Sequence, residues 1–355
     1  MKQKKILHVI SGDLWAGAEV QAFTLLKQLK LTHDIYVVLM NDGELANQLR
    51  GVKIDVTILD ESNISSAGVF FRLISILKGL KPNIIHTHRQ KENILASLAN
   101  LFSVRVRCIR TQHGAYEFKG NWKTKIQRLI DKLVGRYLQQ AIIAVSTDLK
   151  LKLVHDFPVN MIHVVENGVD VKMLMDATYL VDFKLAEPEI KHIGIIGRLV
   201  KVKRVDIFLE IASLAIKRGE NFQFHIIGDG PMLGELKSRA KQLKLDGSVI
   251  FHGHRTDIPA CIYSLDVVVM CSDHEGMPMV ALETIALSTA LITRNIPPFN
   301  HFSEVIRVEN RAPYQENFLN VICSHLLTSQ PLDPFKFKHT ALAMAEKTSH
   351  LYGFS

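Results

Sequence analysis

The sequence is poor in the features that mark secreted and membrane-spanning proteins. Its 355 residues include only four cysteines, which are widely spaced and show no metal-ligand pairing. This pattern favours reduced thiols in the cytoplasm over a disulfide framework. No stretch of about 18 apolar residues runs without a charge, so we expect no transmembrane helix. The first apolar run, residues 6–10, is too short for a secretory signal.

Several nucleotide- and metal-binding motifs are also missing. There is no P-loop ending in Gly-Lys-Ser or Gly-Lys-Thr, and no Asp-x-Asp triplet that would bridge a divalent ion to a diphosphate. Residues 226–234 nearly spell the dinucleotide fingerprint, but a proline intervenes and the third glycine falls one position late. These absences disfavour oxidoreductases, and we predict a protein without a metal or an organic cofactor.

Positive charge is concentrated in one half of the chain. The formal net charge is +8, but residues 1–165 carry +10 and the remainder −2. This asymmetry indicates that the N-terminal half faces something anionic, such as a lipid surface, a lipid-linked diphosphate or nucleic acid. A merely soluble basic surface explains it about equally well. No nucleic-acid-binding motif accompanies the charge, so we do not predict a nucleic-acid partner.

Short apolar runs alternate with longer amphipathic stretches, a pattern typical of β-α units with parallel strands buried on both faces. The predicted strands cover residues 5–10, 35–40, 54–59, 84–88, 106–111, 141–145, 163–165, 192–197, 223–228, 249–251, 267–271 and 290–293. A weaker stretch over 173–191 separates two series of units. We therefore predict an α/β protein of two Rossmann-like, doubly wound domains facing a central cleft. Their predicted limits are residues 1–175 and 190–335.

Ligands of doubly wound sheets bind beyond the carboxyl ends of the strands, so functional residues are expected on the loops that follow strands. Arg198 and Lys203 follow the strand 192–197. Arginine offers a planar fork for phosphate and lysine a compact charge, so the pair suits a diphosphate. A solvated basic turn would explain the pair about as often.

A second cluster follows the strand 267–271. A helical pattern begins at Met279, which places Glu275 and Gly276 on a strand-to-helix turn with backbone N–H groups open to an anion. Glu283 lies eight residues after Glu275. This spacing presents two carboxylates to the hydroxyls of one elongated ligand, such as a sugar and a ribose. Taken alone, Glu283 fits a solvated helix residue equally well.

Histidines also lie at predicted strand ends. His113 follows the strand 106–111, where an imidazole can donate a hydrogen bond to a sugar or a phosphate, although a single histidine is more often structural. His86 and His88 lie on the strand 84–88. We expect one of these two to face inward and to be satisfied by backbone, and we leave both out of the site.

An amphipathic helix is predicted over residues 124–139. Seven apolar side chains form one stripe, and four basic side chains lie opposite: Lys125, Arg128, Lys132 and Arg136. The helix either packs its stripe on the N-terminal sheet, which we favour two to one, or rests on anionic lipid.

Together these segments resemble the retaining family 4 glycosyltransferases of the GT-B fold. The matching pieces are GRLVKVK (197–203), IIGDGP (226–231), FHG (251–253), SDHEGMPMVALE (272–283), AGAE (16–19), IIHTH (84–88), TQHG (111–114), VS (145–146) and ENGVD (166–170). The piece at 272–283 carries the family's Glu-x7-Glu pair. The resemblance spans nearly the whole chain, and the order of the pieces makes it specific.

The resemblance implies roles for the candidate residues. Arg198 and Lys203 would hold the donor diphosphate. Glu275 would contact hydroxyls of the transferred sugar, and Glu283 would bind the nucleotide ribose. His113 would sit at the reaction centre. The remaining donor-site candidates, whose backbone or side chains would line the ligand, are Gly17, Gly228, Gly276, Met277 and Pro278.

By the same resemblance, the donor is a nucleotide-diphosphate sugar, with UDP as the default and GDP left open. The acceptor would be a saccharide or a lipid-linked glycan of cell-surface polysaccharide assembly, reached from the cytoplasm or at the inner face of its membrane. Residues 336–355 would form a helix that crosses back to the first domain. Two alternatives remain: a nucleotide-sugar epimerase of the same architecture, and a non-catalytic nucleotide-sugar-binding subunit.

Several positions depart from the family pattern. Arg204 and Ser288 stand where the family usually has glycine, and Ala290 replaces a usual proline. The loop 294–304 lacks a glycine pair. We therefore expect an atypical donor-sugar pocket.

Overall fold

A computed structural model describes residues 4–13, 15–114, 122–179, 185, 189–300, 302–328 and 337–353. The chain divides into two compact units. The N-terminal unit comprises Met1–Gly168 together with His339–Ser355, and the C-terminal unit comprises Val169–Lys338. Each unit is built on its own parallel sheet. Part of the predicted interdomain stretch 173–191 lies outside the described residues.

The sheet of the N-terminal unit has seven parallel strands in the order β3-β2-β1-β4-β5-β6-β7. They are β1 (Lys5–Ile10), β2 (Asp34–Leu39), β3 (Asp55–Ile58), β4 (Ile84–Thr87), β5 (Arg107–Gln112), β6 (Ala141–Ala144) and β7 (Ile162–Val164). The connecting helices are α1 (Gly17–Leu29), α2 (Glu44–Gly51), α3 (Ser66–Leu80), α4 (Gln90–Leu101), α5 (Trp122–Tyr137) and α6 (Thr147–Leu153). A 3-10 turn covers Val159–Met161.

Burial explains why these segments fold as they do. β1 and β4 are buried along almost their whole length, as expected for parallel strands covered on both faces. α3 buries Val69, Leu73 and Leu77, which recur every four residues and so form one stripe against the sheet. The strand order reverses between β1 and β4, so the loops after these two strands lie side by side.

The sheet of the C-terminal unit has six parallel strands in the order β10-β9-β8-β11-β12-β13. They are β8 (Lys191–Ile196), β9 (Phe222–Ile227), β10 (Val249–Gly253), β11 (Val267–Met270), β12 (Ala290–Arg294) and β13 (Ile306–Val308). The helices are α7 (Val171–Tyr179), α8 (Val205–Lys217), α9 (Leu233–Gln242), α10 (Ile258–Tyr263), α11 (Met279–Ala286) and α12 (Tyr314–Thr328). Two 3-10 turns cover Lys201–Lys203 and Pro297–Phe299. Here the order reverses between β8 and β11.

The predicted fold class of two Rossmann-like parallel-sheet domains is confirmed. All twelve predicted strands form, with ends that shift by at most two residues. β13 was not predicted, because it is a three-residue edge strand whose middle residue, Arg307, is exposed. All four cysteines are free thiols, as expected from their spacing.

The boundary between the units differs from the predicted limit at residue 175. It falls between Gly168 and Val169, because α7 packs against α10 and α11 of the C-terminal unit. A last helix, α13 (Ala341–Leu351), packs against α1 within the N-terminal unit, where the Gln21 amide contacts Met344 Sδ at 3.3 Å. A Cβ on Gly168 would lie 2.2 Å from the carbonyl oxygen of Thr340, so this crossing of two backbone segments requires glycine.

α5 is held to its unit by a buried ion pair. Arg110 Nη1 on β5 lies 2.9 Å from Asp131 Oδ1 on α5, and both side chains are fully buried. The guanidinium also stacks on the Phe157 ring, with Cζ 4.5 Å from the ring centroid. Removing one partner of such a pair leaves an uncompensated buried charge, so the pair strongly fixes which face of α5 turns inward.

Most of the apolar stripe of α5 faces outward, and the favoured expectation that the stripe packs on the sheet was wrong for most of its residues. The inward face consists of Asp131, Val134 and Gly135. The exposed apolar side chains are Trp122, Ile126, Leu129, Ile130, Leu133 and Tyr137, with Leu129 58% and Tyr137 70% exposed. None of the described helices is long and apolar enough to cross a bilayer.

Candidate active site

The candidate donor residues of the C-terminal unit meet where its strand order reverses. β8 ends at Ile196, and Gly197, Arg198 and Lys203 follow it. β11 ends at Met270 and leads into the turn 271–278. A depression at this edge is lined by Gly197, Arg198, Leu199, Lys203, Met270 and Ser272, together with residues of β8 and Val205. The predicted diphosphate cations therefore lie beyond the carboxyl end of β8, next to the turn that follows the adjacent strand β11.

Lys203 and Glu275 form an ion pair across the two loops. Lys203 Nζ lies 2.6 Å from Glu275 Oε1, and both side chains are largely shielded from solvent. An ammonium has three N–H donors, so Lys203 can hold this carboxylate and still donate to a phosphate oxygen. The pair brings together two residues that lie 72 positions apart in the chain.

Arg198 is exposed beside this pair. Within the described part of the chain, its guanidinium makes no ion pair or side-chain hydrogen bond. Its five N–H donors are therefore available to an anionic ligand.

The glycine turn after β9 packs on the loop that carries Arg198. Gly228 has φ +141°, and a Cβ there would lie 2.0 Å from the carbonyl oxygen of Gly197. A Cβ on Gly230 would lie 2.5 Å from the carbonyl oxygen of Leu199. The amide of Leu199 also donates to the carbonyl of Asp229 at 2.9 Å. Both glycines thus permit close backbone contact, which fixes the loop beneath Arg198.

Two further arginines hold the turn after β11, and sequence reasoning missed both roles. Arg294 is buried at the end of β12, where it pairs with Asp273 and donates from Nη1 to the carbonyl of Cys271 at 3.3 Å. Arg204 Nη1 lies 3.2 Å from Asp273 Oδ1, and the same guanidinium grips Asp206 with a fork of hydrogen bonds. Of these two arginines, only Arg204 is conspicuous in the sequence, because it departs from the family pattern.

The two expected glycine positions keep a glycine-like backbone. Arg204 has φ +51° and Ser288 has φ +58°, so both adopt the left-handed conformation that glycine adopts without penalty. A side chain in this region costs about 1 kcal/mol or more. For Arg204, the ion pairs with Asp206 and Asp273 offset that cost.

Glu283 lies in the second turn of α11 and is 6% exposed. Burial raises the pKa of its carboxyl to about 7. Pro278 caps the same helix in an extended conformation, Met277 is buried beneath the turn, and Gly276 is half-buried. Glu283 is therefore a buried acid close to a helix start, and the alternative of a solvated helix residue is wrong.

In the N-terminal unit, Gly17 is the exposed first residue of α1, just after the loop that follows β1. Two acidic residues near Gly17, Asp13 and Glu19, were not among the residues predicted from the sequence. Arg89, which follows β4, lies 2.9 Å from Asp13 and also pairs with Glu19, whose side chain is buried. Burial raises the pKa of the Glu19 carboxyl despite this arginine.

His113 lies next to β5, as predicted, and is partly buried. Its Nε2 lies 3.3 Å from His88 Nδ1. Burial, reinforced by the nearby positive charge of Arg89, lowers the pKa of His113 to about 3. His113 is therefore neutral at pH 7 and suits hydrogen bonding better than proton uptake.

The expectation that one of His86 and His88 faces inward and is satisfied by backbone was wrong. Both are buried, and their rings stack with centroids 4.6 Å apart, because residues two apart on a strand share one face. Their hydrogen-bond partners are side chains rather than backbone. His86 contacts Thr111 and Tyr352, and His88 contacts His8 and His113. Contacts of this kind cannot be recognised from the order of residues along a strand, since they join distant parts of the chain.

Comparisons with known proteins point to one family for both units. Residues 15–173 match the family model described as Glycosyltransferase Family 4. Residues 182–306 match the model described as Glycosyl transferases group 1. The two matches together cover most of both sheets.

Curated relatives align with most of this chain. The UDP-Gal:alpha-D-GlcNAc-diphosphoundecaprenol alpha-1,3-galactosyltransferase of Escherichia coli is 27% identical over 82% of this chain and 79% of its own. The GalNAc-alpha-(1->4)-GalNAc-alpha-(1->3)-diNAcBac-PP-undecaprenol alpha-1,4-N-acetyl-D-galactosaminyltransferase of Campylobacter jejuni is 25% identical over 81% of this chain and 79% of its own.

A solved structure shares the fold at full length. The crystal structure of Anabaena HepE in complex with UDP and glucose aligns with a TM-score of 0.85 and 15% identity. The alignment covers 99% of this chain and 100% of HepE.

The raised pKa of Glu283 predicts a pH-dependent stability. The folded value of about 7 exceeds the ordinary value of 4.5, so the folded state binds the proton more tightly and stability falls as pH rises between the two values. Glu283→Gln removes this titration. We expect the variant to exceed wild type by about 2–3 kcal/mol in free energy of unfolding at pH 8, and by far less at pH 4.5.

Urea titrations at the two pH values measure this difference. Glu235→Gln is the matched control, because Glu235 is exposed on α9 of the same unit, and its substitution should leave the pH dependence unchanged. A difference between Glu283→Gln and wild type that does not vary with pH would contradict the assignment.

Proposed function

Because this chain belongs to the family 4 glycosyltransferases, we propose that it transfers the sugar of a UDP-sugar to a saccharide or lipid-linked acceptor. The transfer retains the anomeric configuration, needs no metal ion and serves the assembly of a cell-surface polysaccharide in the cytoplasm. The observation that carries the proposal is the Lys203–Glu275 pair beside exposed Arg198, at the carboxyl ends of two adjacent strands. The bound UDP of HepE and the UDP-Gal substrate of the E. coli relative support the choice of nucleotide.

The family resemblance gives each donor residue a role that its chemistry fits. Arg198 and Lys203 bind the diphosphate, since a guanidinium fork and an ammonium together present several charged donors. Glu275 accepts hydrogen bonds from hydroxyls of the transferred sugar, oriented by its pair with Lys203. Glu283 accepts from the ribose hydroxyls.

Backbone atoms complete the proposed donor site. The N–H groups at the start of α11, next to Gly276, Met277 and Pro278, face an anion favourably because they lack partners within the helix. Gly228 lets the β9 turn approach the same edge, and Gly17 leaves room for the ligand at the loop after β1.

The proposed reaction needs no side chain as a general base. The acceptor hydroxyl forms a bond to the anomeric carbon on the face from which UDP departs, as the bond between that carbon and the β-phosphate oxygen breaks. The hydroxyl proton passes to the departing phosphate. Arg198 and Lys203 stabilise the negative charge that develops there, in a preorganised arrangement. Neutral His113 contributes a hydrogen bond, since its low pKa makes it a poor proton acceptor at pH 7.

Substitution of the ion pair tests the donor site. Lys203→Met and Glu275→Gln should each lower kcat by roughly a hundredfold or more, because each removes stabilisation at the leaving diphosphate or sugar. Lys201→Met is the matched control, since Lys201 lies in the same 3-10 turn but is exposed. The assay offers labelled UDP-glucose, UDP-galactose and UDP-N-acetylglucosamine with an undecaprenyl-diphosphate saccharide, and proton NMR gives the anomeric configuration of the product.

Melting temperatures of Lys203→Met, Glu275→Gln and Lys201→Met should stay close to that of wild type. A double variant of Lys203 and Glu275 with wild-type turnover would refute the site. Conversion of the donor without any acceptor would indicate an epimerase instead. Donor binding without turnover across all acceptors would indicate a binding subunit.

Metal independence is tested with a chelator. Because Arg198 and Lys203 supply the charge that a divalent ion would otherwise supply, the transfer rate should be unchanged in excess EDTA and after addition of magnesium or manganese. Loss of activity in EDTA that either ion restores would overturn the role given to these two cations.

We further propose that α5 brings the enzyme to the inner face of the cytoplasmic membrane. Its exposed apolar side chains are flanked by the cations Lys123, Lys125 and Arg136, a composition that suits an interface of acyl chains and anionic headgroups. Two other cations of this helix, Arg128 and Lys132, contact Asp156 and contribute less. A lipid-linked acceptor would be presented at that surface.

Vesicle sedimentation tests the membrane contact. The protein should sediment with vesicles that contain phosphatidylglycerol and much less with phosphatidylcholine alone, since the electrostatic contribution needs anionic lipid. Leu129→Gln and Leu133→Gln should weaken sedimentation, whereas Leu327→Gln, on the exposed face of α12, should not. Equal sedimentation with both vesicle types would remove the proposal.

A further inference from the structure

A continuous chain of side-chain hydrogen bonds runs through the N-terminal unit and ends at His113. We call it the histidine relay, and its members in order are Thr111, His86, Tyr352, His8, His88 and His113. They come from β1, β4, β5, the residues just after β4 and β5, and the end of α13. All but His113 are almost fully buried.

The first half of the relay joins β5 and β4 to the end of α13. Thr111 Oγ1 lies 2.8 Å from His86 Nε2, and His86 Nδ1 lies 2.8 Å from the Tyr352 hydroxyl. That hydroxyl lies 3.3 Å from His8 Nε2. Each contact uses a different ring nitrogen, so the hydrogen bonds connect through the His86 ring to the hydroxyl and on to His8.

The second half of the relay leads from β1 to the candidate site. His8 Nδ1 lies 3.0 Å from His88 Nε2, and His88 Nδ1 lies 3.3 Å from His113 Nε2. The remaining nitrogen, His113 Nδ1, has no partner within the described residues. It is therefore the atom of the relay that remains available to a ligand.

The histidines of the relay are neutral. Burial lowers the pKa of His8, His86 and His88 well below the ordinary value, and mutual repulsion of positive charges lowers it further. A neutral imidazole has one N–H donor and one acceptor nitrogen. If one ring donates its proton to the next, that next ring must accept with the facing nitrogen and donate with its other nitrogen. The hydrogen bonds within each uninterrupted run of rings therefore point the same way along the relay.

The Thr111 end selects that direction. Its hydroxyl is buried, and His86 Nε2 is its sole hydrogen-bond partner in the described chain. If Thr111 donates to His86, every group along the relay is satisfied. If it accepts instead, its own buried O–H is left without an acceptor, which is unfavourable. The favoured direction runs from Thr111 through Tyr352 to His113.

We propose that Thr111, His86, Tyr352, His8 and His88 are positioning residues that hold His113 with its proton on Nδ1, as a hydrogen-bond donor to a sugar or phosphate oxygen. In this state Tyr352 donates to His8, His8 donates to His88, and His88 donates to His113 Nε2. His113 cannot then accept a proton through Nδ1. The proposal rests on the proposed function for the identity of the ligand, but not for the tautomer.

A metal ion is the competing occupant of this cluster. Ligand atoms of His8, His86 and His88 all lie within 4.8 Å of one another. However, His8 Nδ1 and His88 Nε2 point at each other at hydrogen-bond distance, so an ion there would replace the proton between them. A metal ion at this cluster and the hydrogen bond between His8 and His88 exclude each other, so nitrogen-15 NMR of the histidines distinguishes the two.

The experiment is nitrogen-15 NMR of the purified full-length protein labelled at histidine, with the His113 signals identified by their loss in His113→Gln. Wild type should show a protonated, pyrrole-type Nδ1 and an unprotonated, pyridine-type Nε2 at His113. An Nε2-protonated His113 in wild type overturns the proposal. So does one equivalent of tightly bound zinc by elemental analysis with metal-shifted signals of His8 and His88.

Two variants interrupt the relay at a distance from His113. Thr111→Val and Tyr352→Phe each remove a hydroxyl and with it the bias in direction, so the Nε2-protonated form of His113 should appear. Thr111→Ser keeps the hydroxyl and should restore the wild-type spectrum. Tyr36→Phe is the control for Tyr352→Phe, because Tyr36 packs on a different cluster, under α3. If one variant fails to fold, the other still decides the question.

Activity distinguishes this inference from the proposed function. With two equally populated tautomers, kcat should fall about twofold with KM unchanged, in step with the Nδ1-protonated fraction. Wild-type spectra in both Thr111→Val and Tyr352→Phe overturn the relay, whatever the activity. The predicted tautomer in a protein without transferase activity would support the relay and refute the proposed function.

Discussion

One reversal of strand order in each parallel sheet determines where the candidate functional side chains lie. Between β1 and β4, and again between β8 and β11, neighbouring strands send their following helices to opposite faces of the sheet. The two loops at such a point diverge and leave an open edge lined by backbone N–H groups. Lys203 and Glu275 meet across the second reversal, and His88 and Arg89 follow a strand at the first.

The two units stabilise these edges by different electrostatics. In the C-terminal unit, oppositely charged side chains form ion pairs. Lys203 pairs with Glu275, and Arg204 and Arg294 both pair with Asp273. Such pairs hold loops in place yet keep donors available for an anion. In the N-terminal unit, buried histidines remain neutral and share protons along hydrogen bonds, because a charge there would be desolvated without compensation. One edge is suited to bind negative charge, and the other to orient hydroxyl and imidazole dipoles.

Much of the candidate site was accessible from local sequence. Arg198, Lys203 and Glu275 were found because each lies in the segment that follows an apolar strand, and in a parallel sheet such segments share one edge. The residues that were missed are of another kind. Arg294, Asp273, His8 and Tyr352 act through partners that lie 21 to 344 positions away in the chain. Neither periodicity nor spacing records contacts of that range, since both describe neighbours within one element.

The sequence by itself determined the class of fold and the places of twelve strands along the chain to within two residues, because periodicity is a local property. Only the tertiary structure decided which face of α5 is buried, because the inward position of Asp131 depends on its contact with Arg110, a residue of another element. It also decided that Glu283 is a buried acid and that four histidines form one hydrogen-bonded series. Burial and long-range pairing depend on what the rest of the chain places around a residue, and that information is absent from any short stretch of sequence.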